Sequence, residues 1–334
     1  MDNIVQDNFK DTVDNNVVEN NITNDITNDV IEDNDKDSKN WQVSNISPYV
    51  HIDENGDEWV CDPDHNYFDL YLNPTYDELM KEFFWYIDQP KGTLRMYTSK
   101  NLIINTFQQE FMFRKERELW YDPAIRKKLI ANRKKYLGEN VKLTPTRILN
   151  GFKISGIHRG YSGFNPLIVQ WFVEHYNLRH KVCYDPCGGW GHRVLGGGGF
   201  FSAQIYNDLS KEILTKVEDM VAYFDIPNVE FHNHDCRTWE PERDFDVIFT
   251  CPPYYNIEDY GHDRFKSKKD FADFLDHILK TYETRESCKI CGLVMKDDMM
   301  HRTDYTDKFA MIKHQCHFNK EASKESLFVW RKES

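Results

Sequence analysis

The chain lacks the features that mark several classes of protein. It has no apolar run of roughly 18 residues, the length that crosses a bilayer as a helix, and its N-terminus lacks the basic start and apolar core of a secretory signal. Its eight cysteines do not have the spacing of a small disulfide framework, which favours free thiols in a reducing compartment. We therefore expect no membrane association and a soluble, intracellular protein of the cytoplasm or nucleus.

The first forty residues contain no glycine or proline and show no sustained helical periodicity. Eleven acidic residues against three lysines give this segment a net charge of −8, which is most of the −13 of the whole chain. Its near-repeats of asparagine and aspartate, as in 21–29, predict a disordered acidic tail over 1–40. A plain spacer and a partner-binding tail both fit, and the composition is compatible with a viral, phage or eukaryotic source.

Residues 41–160 are rich in aromatic side chains and helical in pattern. The segment Thr75-Tyr76-Asp77-Glu78 has the form of a capping box before an apolar stretch, and Asn101–Trp120 is predicted to form a second long helix. This region is therefore predicted to be a mainly helical accessory domain.

The end of this region is strongly basic. Between Arg126 and Gly160 there is one acidic residue, Glu139, and there are ten basic residues: Arg126, Lys127, Lys128, Arg133, Lys134, Lys135, Lys142, Arg147, Lys153 and Arg159. Such a segment, with Tyr136, Phe152 and Tyr161 nearby, fits a surface that follows a nucleic-acid backbone, because each cation that neutralises a phosphate releases counterions. A solvated helix face is the alternative interpretation.

Residues 161–334 alternate between predicted helices and strands. Helices are expected at 166–176, from 191, at 211–223 and at 271–282, and strands at 181–184, 204–206, 229–232, 245–250, 289–294 and 326–330. Alternation at this spacing predicts an α/β fold with a doubly wound, mostly parallel sheet. Ligands of such sheets bind beyond the carboxyl ends of the strands.

Three acidic residues follow the first three of these strands: Asp185, Asp208 and Asp235. A glycine-rich turn, Asp185-Pro186-Cys187-Gly188-Gly189-Trp190-Gly191, comes directly after the first strand and allows a close approach of backbone to ligand. Taken singly, each acid also fits a helix cap or a turn. Taken together, they indicate a cationic, ribose-bearing ligand without phosphate, with Asp185 near an ammonium group, Asp208 near the ribose hydroxyls and Asp235 near an exocyclic amine.

The most specific motif is Thr250-Cys251-Pro252-Pro253-Tyr254, which follows the fourth strand. It resembles the catalytic loop of amino methyltransferases of DNA, which have Asp, Asn or Ser before Pro-Pro and an aromatic residue, and especially the phage-type members with Glu-x-Tyr just beyond, here Glu258-Asp259-Tyr260. The turn residues Gly189-Trp190-Gly191 with Arg193, and the upstream segment Ser162-Gly163-Phe164-Asn165-Pro166, are similar to the same group. The resemblance covers about 160–330.

The resemblance implies a Rossmann-like class-I methyltransferase domain with S-adenosylmethionine as cofactor and the amino group of adenine (N6) or cytosine (N4) in DNA as target. The cofactor-binding residues would be Phe164, Asn165, Pro166, Asp185, Pro186, Cys187, Gly188, Gly189, Trp190, Gly191, Asp208, Asp235 and Cys236. The catalytic loop would supply Cys251, Pro252, Pro253, Tyr254 and Glu258, although Glu258 also fits an exposed loop acid. A methyltransferase of RNA and a catalytically silent nucleic-acid-binding subunit are the alternative functions.

Cys251 departs from the family pattern, because a thiol is a weak hydrogen-bond acceptor. Three interpretations stay open: a backbone carbonyl of the loop serves as acceptor, Cys251 is a nucleophile for C5 methylation, or the activity is weakened or lost. No metal is expected. Cys288-x-x-Cys291 with His314, Cys316 and His317 offers zinc ligands. The first pair overlaps a predicted core strand, however, where alternating side chains would send only one of the two cysteines inward.

Overall fold

Short runs of β-branched and aromatic residues form the strands of one large sheet. The computed structural model describes residues 51–52, 58–59, 70, 72–88, 92–94, 100–138, 143–158, 163–254, 265–300, 308, 310–316 and 325–332. All of them belong to one unit, Tyr49–Ser334. The predicted acidic tail over 1–40 lies outside these residues, and the predicted domain boundary at 160 falls in 159–162, which lie outside them as well.

The strands of the described residues are β1 (His51–Ile52), β2 (Glu58–Trp59), β3 (Val182–Asp185), β4 (Ala203–Asn207), β5 (Val229–His232), β6 (Val247–Thr250), β7 (Ile290–Lys296), β8 (Met311–Gln315) and β9 (Glu325–Arg331). β1 and β2 form a small antiparallel pair. The other seven form one sheet in the order β5-β4-β3-β6-β7-β9-β8. The strand β8 was not predicted, because its side chains are mostly exposed and show no alternation.

The five strands from β5 to β7 are parallel, and β9 runs antiparallel between β7 and β8. The strand order reverses between β3 and β6, so the loops after these two strands diverge and leave a crevice at the carboxyl edge. This topology confirms the prediction of an α/β fold with a doubly wound, mostly parallel sheet.

The helices of the described residues are α1 (Tyr76–Ile87), α2 (Leu102–Phe107), α3 (Gln109–Met112), α4 (Arg114–Trp120), α5 (Pro123–Leu137), α6 (Pro145–Ile154), α7 (Leu167–Tyr176), α8 (His192–Gly197), α9 (Lys211–Tyr223) and α10 (Lys268–Thr284). The predicted capping box is confirmed: the Thr75 hydroxyl accepts from the Glu78 N–H, and the Glu78 carboxylate accepts from the Thr75 N–H.

The single long helix predicted over Asn101–Trp120 is wrong, because the chain leaves helical geometry at Gln108 and Phe113. The Gln108 side chain is buried and donates to the carbonyl oxygens of Trp190 and Ile213, at 3.4 and 3.3 Å. These tertiary bonds of Gln108 outweigh the helix propensity of the stretch at that position.

Hydrophobic clusters cover both faces of the sheet. One packs α10 against β3, β6, β7 and β9, and another packs α7 against the opposite face of the same strands. A third cluster joins α1, α2 and α3 to two further helices: α8, which follows the glycine turn, and α9, which follows β4. The predicted turn therefore lies between the helices of the N-terminal region and the sheet.

Candidate active site at the carboxyl edge of the sheet

The glycine turn after β3 is held by the neighbouring strand β4. Gly188 N–H donates to the Asn207 carbonyl at 2.7 Å, and the Tyr206 hydroxyl donates to the Gly189 carbonyl at 2.7 Å. A Cβ atom at Gly188 would lie 2.3 Å from the ring of Tyr206, which is buried. Gly189 and Gly191 have φ of +66° and +94°, a region that glycine enters without steric cost. The turn therefore requires glycine at these positions.

Asp185, at the tip of β3, is paired within the protein. Its carboxylate accepts from Arg193 Nε at 2.7 Å and from the Thr250 hydroxyl at 2.7 Å. Burial lowers the pKa of the Arg193 guanidinium, but Asp185 and other neighbours offset this, so that its pKa lies above the usual range. Arg193 also donates to the Gly188 carbonyl at 2.8 Å and to that of Cys187. The cation predicted next to Asp185 is therefore supplied in this structure by Arg193, and contact of Asp185 with a ligand stays a prediction.

Asp208 and Asp235 lie beyond the neighbouring strands, and both make hydrogen bonds within the protein. One oxygen of Asp208 accepts from the Gly189 N–H at 2.7 Å and the other from the Ser210 N–H at 2.8 Å. Burial raises the pKa of Asp208, although these backbone bonds oppose the change. The Asp235 carboxylate binds Arg237 through two nitrogens, which lowers the pKa of Asp235. Each carboxylate oxygen has lone pairs beyond these bonds, so both groups can still accept from a ligand.

Asn207, which the sequence did not single out, connects the turn to the loop after β5. It is fully buried, and its amide donates to the carbonyl oxygens of Pro186 and His234 at 3.1 and 3.0 Å. Its side-chain oxygen accepts from the His234 N–H at 3.0 Å. The sequence offered one signal for this role: an asparagine at the end of a mostly apolar strand, directly before Asp208.

The upstream segment packs against α8, the helix that follows the turn. Phe164 lies with its ring 5.3 Å from the guanidinium of Arg193, and the fully buried Asn165 accepts from the N–H of Leu167, the first residue of α7, at 3.0 Å. A Cβ atom at Gly196 would lie 2.3 Å from the Pro166 carbonyl oxygen, which shows how closely this segment approaches α8. The structure thus places Phe164 and Pro166 against α8, with Asn165 between them in sequence.

Three other predicted cofactor-binding residues are partly or fully buried near the turn. Trp190 is buried, whereas Cys187 and Cys236 are partly exposed. A hydrogen bond between the two thiols, followed by burial, raises the pKa of Cys187 well above its usual range. The buried His192, the first residue of α8, has its pKa lowered to about 3, chiefly by burial, so its imidazole is neutral at physiological pH.

The Pro-Pro-Tyr loop begins at the tip of β6, next to the turn. The Thr250 hydroxyl bond to Asp185 joins the end of this strand to the end of β3. Pro252 and Tyr254 are buried, and Cys251 and Pro253 are partly exposed. Cys251 Sγ lies 3.9 Å from the Tyr254 hydroxyl. Glu258, the remaining predicted catalytic residue, lies outside the described residues.

The described residues also bear on a metal site, on the two cysteines of the zinc alternative and on a membrane-spanning helix. Among the described residues, no group of three or more histidine, cysteine, aspartate or glutamate side chains is placed to hold a metal ion. Cys288 and Cys291 are both buried as free thiols, whereas alternation along a strand predicted that only one would point inward. No helix in the described part of the chain is long and apolar enough to cross a membrane.

No protein-family model and no curated protein matches the sequence. Structures with a similar fold include a dimethyladenosine transferase from Plasmodium falciparum (18% identity, 50% of this chain and 62% of that chain, TM-score 0.35) and TrmN from Thermus thermophilus (15%, 51% and 49%, 0.37). A Streptococcus mutans structure in complex with SAH has 13% identity over 48% of this chain and 97% of that one, with a TM-score of 0.37. The α/β fold itself follows from the strand order of the sheet.

Proposed function

We propose that the chain is an S-adenosylmethionine-dependent methyltransferase that acts on the exocyclic amino group of a base in DNA, adenine N6 or cytosine N4. The observation that carries the proposal is the hydrogen bond between Thr250 and Asp185, which fastens the start of the Pro-Pro-Tyr loop to the glycine turn. A cofactor on the turn and a base at the loop would then lie side by side in the crevice at the strand-order reversal.

The residues of the turn fit this cofactor. Glycine positions leave backbone accessible, and Asp208 and Asp235 keep acceptor lone pairs for ribose hydroxyls and an adenine amine. The cofactor would supply an electrophilic methyl group on a sulfonium. Arg193 neutralises Asp185, so the ammonium end of the cofactor must find acceptors other than a free Asp185 carboxylate.

The loop supplies the groups that make an amine reactive. An exocyclic amine is a poor nucleophile because its lone pair is delocalised into the ring, and hydrogen bonds accepted from its hydrogens favour a pyramidal nitrogen. Pro252 and Pro253 have no N–H groups and fix the loop, which leaves the carbonyl of Cys251 or Pro252 as acceptor. Tyr254 would stack on a base that has left its helix. Positioning then provides most of the remaining acceleration.

The basic segment gives the chain a surface for a phosphate backbone. Neither α5 nor α6 contains an acidic residue, and Lys127, Lys128 and Lys135 of α5 are exposed. Not every cation of the segment is available, because Arg126 and Arg133 are buried. Of the aromatic residues expected to assist, Phe152 is also buried, while Tyr136 is 66% exposed. The surface therefore includes the lysine side of α5 and excludes Arg126 and Arg133.

Replacing Lys127, Lys128 and Lys135 together by glutamine is expected to weaken DNA binding and its salt dependence. If each lysine neutralises one phosphate, the slope of log K against log salt becomes shallower by about 3. Binding titrations at several salt concentrations measure this slope. Lys269→Gln on α10 is the control, since Lys269 is exposed and pairs with Asp273. An unchanged slope in the triple variant would place the DNA elsewhere.

A cofactor titration tests the proposal in its simplest form. Binding of S-adenosylmethionine, followed by transfer of a labelled methyl group to DNA, supports it. Transfer to RNA alone would replace the substrate class. If no S-adenosylmethionine binds, the enzymatic function is excluded and a silent nucleic-acid-binding subunit takes its place.

A further inference from the structure

The antiparallel strand β9 brings a carboxylate to the Pro-Pro-Tyr loop. Because β9 runs opposite to β7, its first residue, Glu325, pairs with Lys296 at the carboxyl end of β7. The start of β9 therefore lies at the same edge of the sheet as Thr250 and the loop after it. Glu325 is only 9% exposed, which is unusual for a glutamate without a specific partner.

The tyrosine of the loop is one partner of Glu325. The Tyr254 hydroxyl donates to Glu325 Oε1 at 2.9 Å, between side chains that are 71 residues apart in sequence. Cys251 Sγ is placed to donate to the oxygen of the same hydroxyl, at 3.9 Å. Burial, followed by Cys251 and Glu325, raises the pKa of Tyr254 well above its usual range, so the phenol keeps the proton that it donates.

A lysine ammonium group also lies over one face of the Tyr254 ring. Lys296 Nζ lies 5.6 Å from the centre of the ring, and Lys296 is the residue that pairs with Glu325 across β7 and β9. The hydroxyl end and one face of the ring are thus fixed by two side chains from adjacent strands. A ring that is fixed in this way does not have to be ordered when a base stacks on it.

We infer that Glu325 is a positioning residue that orients Tyr254, and with it the target base, through the hydrogen bond to the tyrosine hydroxyl. The inference rests on the proposed function, because it assigns the ring the task of stacking on the base. Because the hydroxyl donates to a carboxyl oxygen at 2.9 Å, the bond holds the oxygen end of the ring in one direction. Cys251 belongs to the same hydrogen-bonded chain, as a donor to the tyrosine hydroxyl and not as the acceptor for the amine.

Kinetics of four variants test this role: Glu325→Leu, Glu325→Gln, Tyr254→Phe and the Tyr254→Phe/Glu325→Leu double variant. With a base misplaced by about 1 Å, kcat for methyl transfer is expected to fall about 100-fold in Glu325→Leu. The KM for S-adenosylmethionine should be unchanged. Glu325→Gln keeps an acceptor oxygen and should recover most of the loss. In the Tyr254→Phe background, Glu325→Leu should cause no further fall, because no hydroxyl is left to orient.

The control is Glu116→Gln, since Glu116 is a buried glutamate that lies on α4, outside the sheet, and binds His158 at 3.0 Å. It should keep the wild-type kcat. A wild-type kcat in Glu325→Leu, or an equal fall with and without the Tyr254 hydroxyl, would overturn the positioning role while leaving the proposed function intact. A wild-type protein that binds S-adenosylmethionine but transfers no methyl group to nucleic acid would overturn both.

Discussion

Replacing Arg193 by methionine is expected to destabilise the folded chain by about 3–5 kcal/mol, because the change removes one partner of a buried ion pair. The Arg193 and Asp185 side chains are 8% and 9% exposed, so Asp185 would be left as an uncompensated charge. Arg193 also donates to two carbonyl oxygens of the glycine turn, which would lose their donor. Urea unfolding followed by circular dichroism measures the loss.

The double variant Asp185→Asn/Arg193→Met is the matched control. It removes both charges, keeps an oxygen for the Thr250 hydroxyl and should be more stable than the single arginine variant. A loss in Arg193→Met below about 1 kcal/mol, the range of a solvated surface pair, would contradict a buried ion pair beneath the turn. An equally large loss in the double variant would show that packing of the arginine, and not its charge, is what matters.

A Gly188→Ala substitution is expected to raise the Kd for S-adenosylmethionine by about 10- to 100-fold. The added Cβ would meet three ring atoms of Tyr206 at 2.3–2.7 Å, and this ring is 1% exposed and cannot move aside. Overpacking of this kind costs about 1–3 kcal/mol, and relief by shifting the turn would displace the backbone that faces the cofactor. Since each 1.4 kcal/mol is about tenfold in affinity, calorimetric titration resolves the change.

Gly199→Ala is the control for the added methyl group. Gly199 has φ of +77°, so alanine there is strained, but its Cβ would meet no atom within 4 Å. This variant should lose some stability and keep the wild-type Kd. If Gly188→Ala also keeps the wild-type Kd, the cofactor does not lie on the turn.

The sequence predicted the sheet well because its strands carry their own signal. β4 and β6 are short runs with mostly apolar or aromatic residues and are buried throughout. β5 alternates apolar and polar residues, which is the pattern of a half-buried strand. The helices before the sheet were less predictable. Gln108 lies between two short helices, and its side chain donates to the carbonyl oxygens of Trp190 and Ile213, which lie 82 and 105 residues further along the chain. No local pattern contains that information.

The candidate site was predictable in its glycine turn and its loop, but not in the bonds that hold them. Three acids at strand tips indicated ligand contacts, yet Asp185 pairs with Arg193 across the turn, and this pairing depends on the direction of α8. Glu325 reaches the loop only through the register of an antiparallel strand. Likewise, charge counting along the basic segment did not separate the exposed lysines from Arg126 and Arg133, since burial depends on how α5 packs.

The most direct test of the account is mass spectrometry of nucleosides from a host that lacks its own DNA methyltransferases and expresses this chain. The predicted result is N6-methyldeoxyadenosine or N4-methyldeoxycytidine in DNA, diminished in Gly188→Ala. The level should be preserved or raised in Cys251→Ser, because a serine hydroxyl is a stronger donor to the Tyr254 hydroxyl than a thiol and no covalent bond forms at this position. C5-methyldeoxycytidine that disappears in Cys251→Ser, or DNA and RNA without any added methyl group, would contradict the account.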